Sequence, residues 1–225
     1  MKDLRIEYRL MGHLVRSQLE AELPDYALEH LAPAFDRGDP EAAAWLVGAA
    51  PNGYRGLIAL AAYWSGVPNP AYRTLLAHVW DHDHQHLVAA ARGGAPQIRR
   101  MMRRAEFPVP FSGALRVYRG GRATETSLAR GLSWTVDRDC ACWFAFKHHG
   151  RRERVPLVLC ADVTAADVVL WHDGRSEKEV VLGSTPAWRV DPDGGTWEDA
   201  AGRHADRIHG WNAALMDPRR PLPHA

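Results

Sequence analysis

Apolar positions in the first hundred residues recur at helical spacing. Leu4, Tyr8, Met11, Val15 and Leu19 fall three or four apart, a single stripe that predicts an amphipathic helix. Asp39-Pro40 places an N-cap and a first-turn proline ahead of Ala42-Ala43-Ala44-Trp45-Leu46-Val47, and Asn69-Pro70 predicts the same before Tyr72-Arg73-Thr74-Leu75-Leu76. Gly66 and Gly93-Gly94 read as stops. The spacing therefore predicts an N-terminal all-helical module over residues 1–106.

The texture changes after Phe107-Pro108-Val109-Pro110, whose prolines disfavour helix. Short β-rich runs follow: Leu115 to Arg119, Leu132 to Thr135, Val155 to Ala161, Asp167 to Trp171, a strand beginning near Glu177, and Ala187 to Val190. Asp137 predicts the N-cap of a helix through Ala141, Phe144 and Ala145. Asp173-Gly174 is a tight-turn signal. Thr196-Trp197-Glu198-Asp199 reads as a capping box opening a C-terminal helix, with Trp197, Ala201, Ala205, Ile208 and Trp211 on its buried stripe. The tail from Asp217 reads as loose. Strands with few interspersed helices and hairpin-type turns point to an α+β domain over residues 107–225 rather than a doubly wound sheet.

Composition narrows the class without naming a chemistry. With 225 residues, 46% apolar and 24% charged, the chain has the make-up of a globular protein with a real core. A formal net charge of +1 supplies no global field toward a polyanion or an anionic membrane. The N-terminus mixes charges through its apolar residues, lacking a continuous signal-type run, and no stretch approaches membrane-spanning length. The expectation is a soluble cytoplasmic chain. Cys140, Cys142 and Cys160 are an odd set, and Cys140 and Cys142 stand two apart where a helix is expected, which argues against a disulfide framework.

Three short pieces carry the candidate chemistry. Arg119, followed by Gly120-Gly121, can hold a pair of phosphate oxygens and stays charged at cellular pH, while the glycines leave room for a flat ring near the backbone. On an extended strand Ser133 and Thr135 share one face and Trp134 takes the other, so two hydroxyls can serve one ligand. Glu177 and Glu179 likewise share a face if extended, opposite Lys178, and lead into apolar Val180-Val181-Leu182. A carboxylate pair at a core boundary needs pairing or a function. Singly, each piece also reads as an edge arginine, a polar strand face or a solvated charge run.

Taken in order, Arg119, then Ser133-Trp134-Thr135, then Glu177-Lys178-Glu179 resembles the Arg-Ser-Glu class of ADP-ribosyltransferases, the mono-ADP-ribosyltransferase type of bacterial or phage toxins and effectors. The resemblance spans Leu115 to Gly121, Gly131 to Ala145 and Leu157 to Leu182, and implies that family's split β-sheet core. It implies that NAD is the substrate, with Arg119 on its phosphate or neighbouring ribose and the Gly120 backbone near the nicotinamide amide. Ser133 would hold Glu179, the catalytic carboxylate, and Thr135 would also face NAD. Glu177 falls where the family has a carboxylate that goes with attack by an arginine guanidinium. His172, Asp173 and Arg175 fall on the segment that recognises the acceptor. Trp143 or Phe144 would stack on nicotinamide or simply pack their helix, and Phe144 is taken as the cofactor-side residue. Two departures are evident: the third small hydroxyl of the Ser-Thr-Ser versions is missing, and no separate phosphate-nicotinamide loop can be picked out.

The acceptor implied is a macromolecule, protein arginine ahead of RNA or DNA. The alternatives are an NAD glycohydrolase, in which water replaces the acceptor, and a catalytically silent binding module of the same fold. Arg99-Arg100-Met101-Met102-Arg103-Arg104 and Lys147-His148-His149-Gly150-Arg151-Arg152 keep a nucleic-acid acceptor open, since local cations hold a phosphate backbone at near-zero net charge. His78, His82 and His86 share a helical face, yet no cysteine or glutamate completes a catalytic zinc pattern, so no metal is expected; Asp81 and Asp83 read as solvated neighbours or helix partners.

Overall fold

The structure, a computed structural model, describes residues 25–147, 155–173 and 177–215. The helix expected over residues 4–19, the basic run from His148 to Arg152, the segment Gly174 to Ser176 and the tail from Asp217 lie outside the described residues. The chain divides into two compact units between Pro108 and Val109.

In the first unit a π-turn at Ala27–Leu31 leads into α1 (Ala32–Asp36), then α2 (Pro40–Ala49), α3 (Asn52–Ser65), α4 (Asn69–Ala90) and α5 (Gly94–Ala105). Asp39 caps α2 as its sequence predicts, its carboxylate accepting from the Glu41 and Ala42 N–H groups at 2.9 and 3.3 Å. Asn69 does not cap α4. The first helical hydrogen bond runs from Tyr72 N–H to the Pro68 carbonyl, so Pro68 holds the cap position and the Asn69 amide donates to Glu106 instead. Gly56 is where α3 and α4 touch, since a side chain there would meet the backbone of His86 and Leu87. Arg104 reaches from α5 to the end of α3, donating to the carbonyls of Ala62, Tyr63 and Val67 at 3.1, 2.5 and 2.6 Å. Its guanidinium lies 4.4 Å from the centre of the buried Tyr72 ring. The exposed stop signal is Gly66, in the left-handed region at φ 79°.

The histidine run lies on α4. The His78 and His82 rings stack at 6.4 Å, and no described group of three His, Cys, Asp or Glu is arranged to hold a metal. Asp83 is no solvated neighbour: it is buried, kinks α4 with φ −135°, and pairs with Arg55 at 2.9 Å. Pairing is what lets the carboxylate sit in that interior.

The second unit is α+β. Its strands are β1 (Ala114–Gly121), β2 (Ser133–Thr135), β3 (Leu157–Thr164), β4 (Val168–His172), β5 (Glu179–Leu182) and β6 (Trp188–Val190). They form an open antiparallel sheet in the order β4-β5-β2-β1-β3-β6. Its helices are α6 (Glu125–Ala129), α7 (Arg138–Lys147) and α8 (Trp197–Leu215). With the first unit's five, the described chain holds eight α-helices.

Strand alternation gives the sheet two cores. Val117, Leu159, Ala161, Trp134, Val180 and Leu182 face one side, with Leu128 and Ala129 of α6. On the other side Val158 packs under Ala141, Cys142 and Ala145 of α7 and Ala200 and Ala201 of α8, with Tyr118 and Trp197 at the margin. All three cysteines are buried free thiols, and burial pushes the Cys140 thiol up to about 12. Asp137 caps α7 as expected, accepting from the Asp139 and Cys140 N–H groups. The capping box expected at Thr196 is absent, because its hydroxyl donates to the Asp193 carbonyl and accepts from Arg138 at 3.0 Å. The box is found at Thr164 and Asp167 instead. The buried stripe of α8 includes His204, which the apolar pattern passes over.

Candidate functional site

The two sheet halves, β4-β5-β2 and β1-β3-β6, are joined by a single bridging pair, Tyr118 opposite Thr135. Toward Gly120 and Ser133 the two strands form no further ladder pair. Arg119 lies there, and its Nη1 donates to the Ser133 carbonyl. Its Nε is buried with no hydrogen-bond partner among the described residues. Burial pulls the guanidinium down to about 10, opposed by the negative charge of Glu179. It therefore remains a cation at neutral pH, with one buried donor still to be satisfied.

Register aligns the other candidates. His172 pairs with Glu179, Glu179 with Thr135, and Thr135 with Tyr118, so these four form one row across four strands, on one face of the sheet. Ser133, two residues before Thr135, lies on that same face, opposite Val181. Ser133 and Glu179 are half-buried. No hydrogen bond joins the Ser133 hydroxyl to Glu179; what Ser133 contributes is its carbonyl, to Arg119.

Three expectations change on contact with the geometry. Thr135 is buried, and its hydroxyl is already used: it donates to the Glu177 carbonyl at 2.5 Å and accepts from the Asp137 N–H at 3.0 Å. It acts on the protein rather than as a free hydroxyl for NAD. Glu177 does not share a strand with Glu179, because β5 starts at Glu179 and Lys178 is in the left-handed region at φ 45°. The alternation that would align the two carboxylates stops there. Gly120 is glycine for packing: a Cβ there would overlap the Ala141 carbonyl and crowd the Ala145 nitrogen, so its open face belongs to α7.

Phe144 is half-buried, set edge-to-face against Trp143 with centroids 5.0 Å apart. It stands one turn beyond the buried Cys140, so helical spacing puts Phe144 on the same stripe of α7. Trp143 points elsewhere, with its ring 5.4 Å from His204 and the Lys147 ammonium 4.0 Å above it. Of the acceptor segment, His172 ends β4, Asp173 is exposed, and Arg175 lies outside the described residues. A cleft of about 660 Å³ opens past the end of β1, lined by Ala123, Thr124, Glu125, Leu157 and Trp188 among others.

Gly131 was not singled out in the sequence. A Cβ at this position would overlap the Arg119 guanidinium, so the glycine is what admits that side chain. The signal was available as a glycine two residues before Ser133. Also unforeseen is the charged lattice between α7 and α8. Arg203 pairs with Asp139 at 2.7 Å, and Arg207 with Asp137 and Asp139 at 2.8 and 3.0 Å.

In comparisons with known proteins, the chain matches no family model, no curated protein and no solved structure.

Proposed function

We propose that the unit from Val109 onward is an NAD-dependent mono-ADP-ribosyltransferase. The observation that carries this reading is Arg119: a half-buried cation whose buried Nε has no partner among the described residues, standing beside the single pair that joins the two sheet halves, within the field of Glu179. A phosphate or ribose oxygen of NAD would satisfy that donor, and the single pair between β1 and β2 fits the core that the Arg-Ser-Glu resemblance implies. Phe144 supplies an aromatic face for nicotinamide.

In the proposed reaction the bond from ribose to nicotinamide breaks, and its electron pair leaves with the ring nitrogen, neutralising the pyridinium. Positive charge grows at the anomeric carbon, and Glu179, a fixed carboxylate, stabilises it. An acceptor nitrogen then forms the new bond and gives up a proton to a nearby carboxylate, for which Glu177 is the candidate. Protein arginine is the favoured acceptor and nucleic acid the second. The break in the strand at Lys178 favours one other reading, an NAD glycohydrolase, because water needs no carboxylate aligned with Glu179.

The test is incubation of the full chain with adenylate-labelled NAD and a cell lysate, following nicotinamide release and macromolecular label together. Label removed by protease supports protein transfer, label removed by nuclease supports a nucleic-acid acceptor, and release without label supports hydrolysis. No nicotinamide release would overturn both enzymatic readings.

A further inference from the structure

The segment Glu177-Lys178-Glu179 is held by a chain of bonds that starts on α8. Arg207 Nη2 donates to Asp137 Oδ2 at 2.8 Å, while Asp137 Oδ1 accepts from the Asp139 and Cys140 N–H groups and so caps α7. The Asp137 N–H donates to the Thr135 hydroxyl at 3.0 Å, and that hydroxyl donates to the Glu177 carbonyl at 2.5 Å. A second tie, Val136 N–H to the Lys178 carbonyl at 3.2 Å, grips the residue whose left-handed backbone turns the chain into β5. A lysine at φ 45° needs such ties, because that conformation is unfavourable for a residue with a Cβ.

We propose that Thr135 and Asp137 are positioning residues that set the backbone of Glu177 to Glu179, with Arg207 as their outer anchor on α8. Neither needs to touch substrate. Thr135 spends both directions of its hydroxyl inside the protein, and Asp137 uses its N–H and both carboxylate oxygens the same way. The arrangement makes the direction of Glu179 depend on how α8 sits on α7. Arg203 provides the contrast: it clamps α8 to Asp139 alone, at 2.7 and 3.1 Å, and does not feed the chain to Thr135.

The experiment uses full-length Thr135→Val, Thr135→Ser, Arg207→Ala and Arg203→Ala, with two readouts. Hydrogen exchange at the amides of Glu179 to Leu182 tests the geometry directly. Thr135→Val should speed it about fivefold, the loss of one hydrogen bond. Thr135→Ser should restore protection, and Arg207→Ala should weaken it where Arg203→Ala does not. The kinetic readout rests on the proposed activity. Thr135→Val should lower kcat for nicotinamide release about tenfold or more while KM for NAD stays within about twofold, since small misplacements of a catalytic group carry costs of this size. Unchanged exchange in Thr135→Val overturns the proposal, as does equal damage in Thr135→Ser. If Thr135→Val does not fold, the two arginine variants decide: equal exchange in both overturns it. Should the wild-type chain release no nicotinamide, the proposed function fails while the exchange comparison still decides the positioning chain.

Discussion

Gly120 of β1 lies directly beneath the Ala141 carbonyl of α7, with no room for a single added carbon between strand and helix. Gly120→Ala must therefore push α7 off the sheet. Overpacking against backbone should cost about 3 kcal/mol. Urea denaturation of the full chain measures the loss, and Gly113→Ala, at a glycine with open space around it but φ of 87°, provides a milder comparison.

Arg119 is half-buried, and its buried Nε is a donor that no described residue accepts. Arg119→Lys keeps the charge and loses the planar fork, so NAD affinity should fall about tenfold or more by calorimetry, with a smaller effect on stability. Affinity unchanged in this variant would remove Arg119 from the site.

Glu179→Gln should lower nicotinamide release about 10²–10³-fold with folding intact by circular dichroism, because the amide keeps the shape and removes the charge facing the anomeric carbon. Glu177→Gln separates the two enzymatic readings. With an arginine acceptor, release is spared and label transfer is suppressed; with water as acceptor, release is spared and no transfer exists to lose.

His204 is buried between α7 and α8, its Nδ1 accepting from Arg207 at 3.0 Å and its Nε2 without a partner among the described residues. Burial lowers its proton affinity, opposed by Asp137, with Arg207 adding to the lowering and Asp139 to the raising. The unfolded chain thus binds the proton more readily than the folded one. Stability from this group is present above the ordinary histidine value of 6.5 and is lost as pH falls through the lower folded value. His204→Gln should flatten the pH dependence of the urea midpoint in that window; an unchanged slope would assign it to other groups.

Arg104 closes the end of α3 with three carbonyl bonds and covers Tyr72. Arg104→Met should destabilise the helical unit by about 3 kcal/mol, since the carbonyls lose a charged donor and the ring loses its cation. Arg104→Lys should recover less than half, because an ammonium cannot fork to the separate acceptors.

Local pattern determined a good part of this protein. Cap and proline signals marked where α2 and α4 begin, whereas the apolar stripe over residues 4–19 lies outside the described residues. Short β-rich runs placed the six strands, and Asp39 and Asp137 announced their helix starts, because each of these choices rests on neighbours within a turn or along one strand. The residue types of the candidate site were legible for the same reason: Arg119, Ser133 and Glu179 lie in short pieces with distinct chemistry. Only the tertiary structure decided what those pieces touch. Thr135 turns inward because the Glu177 carbonyl arrives from another segment to accept from its hydroxyl, and Gly120 answers to Ala141 on α7. β1 and β2 share the single pair Tyr118 and Thr135 because β2 is three residues long and pairs mainly with β5. Lys178 ends the alternation that sequence spacing implied for the two carboxylates, since the backbone at that point follows bonds from Val136 and Thr135 rather than a period of two. Such partners are distant in sequence, and a pattern confined to one strand or one turn carries no trace of them.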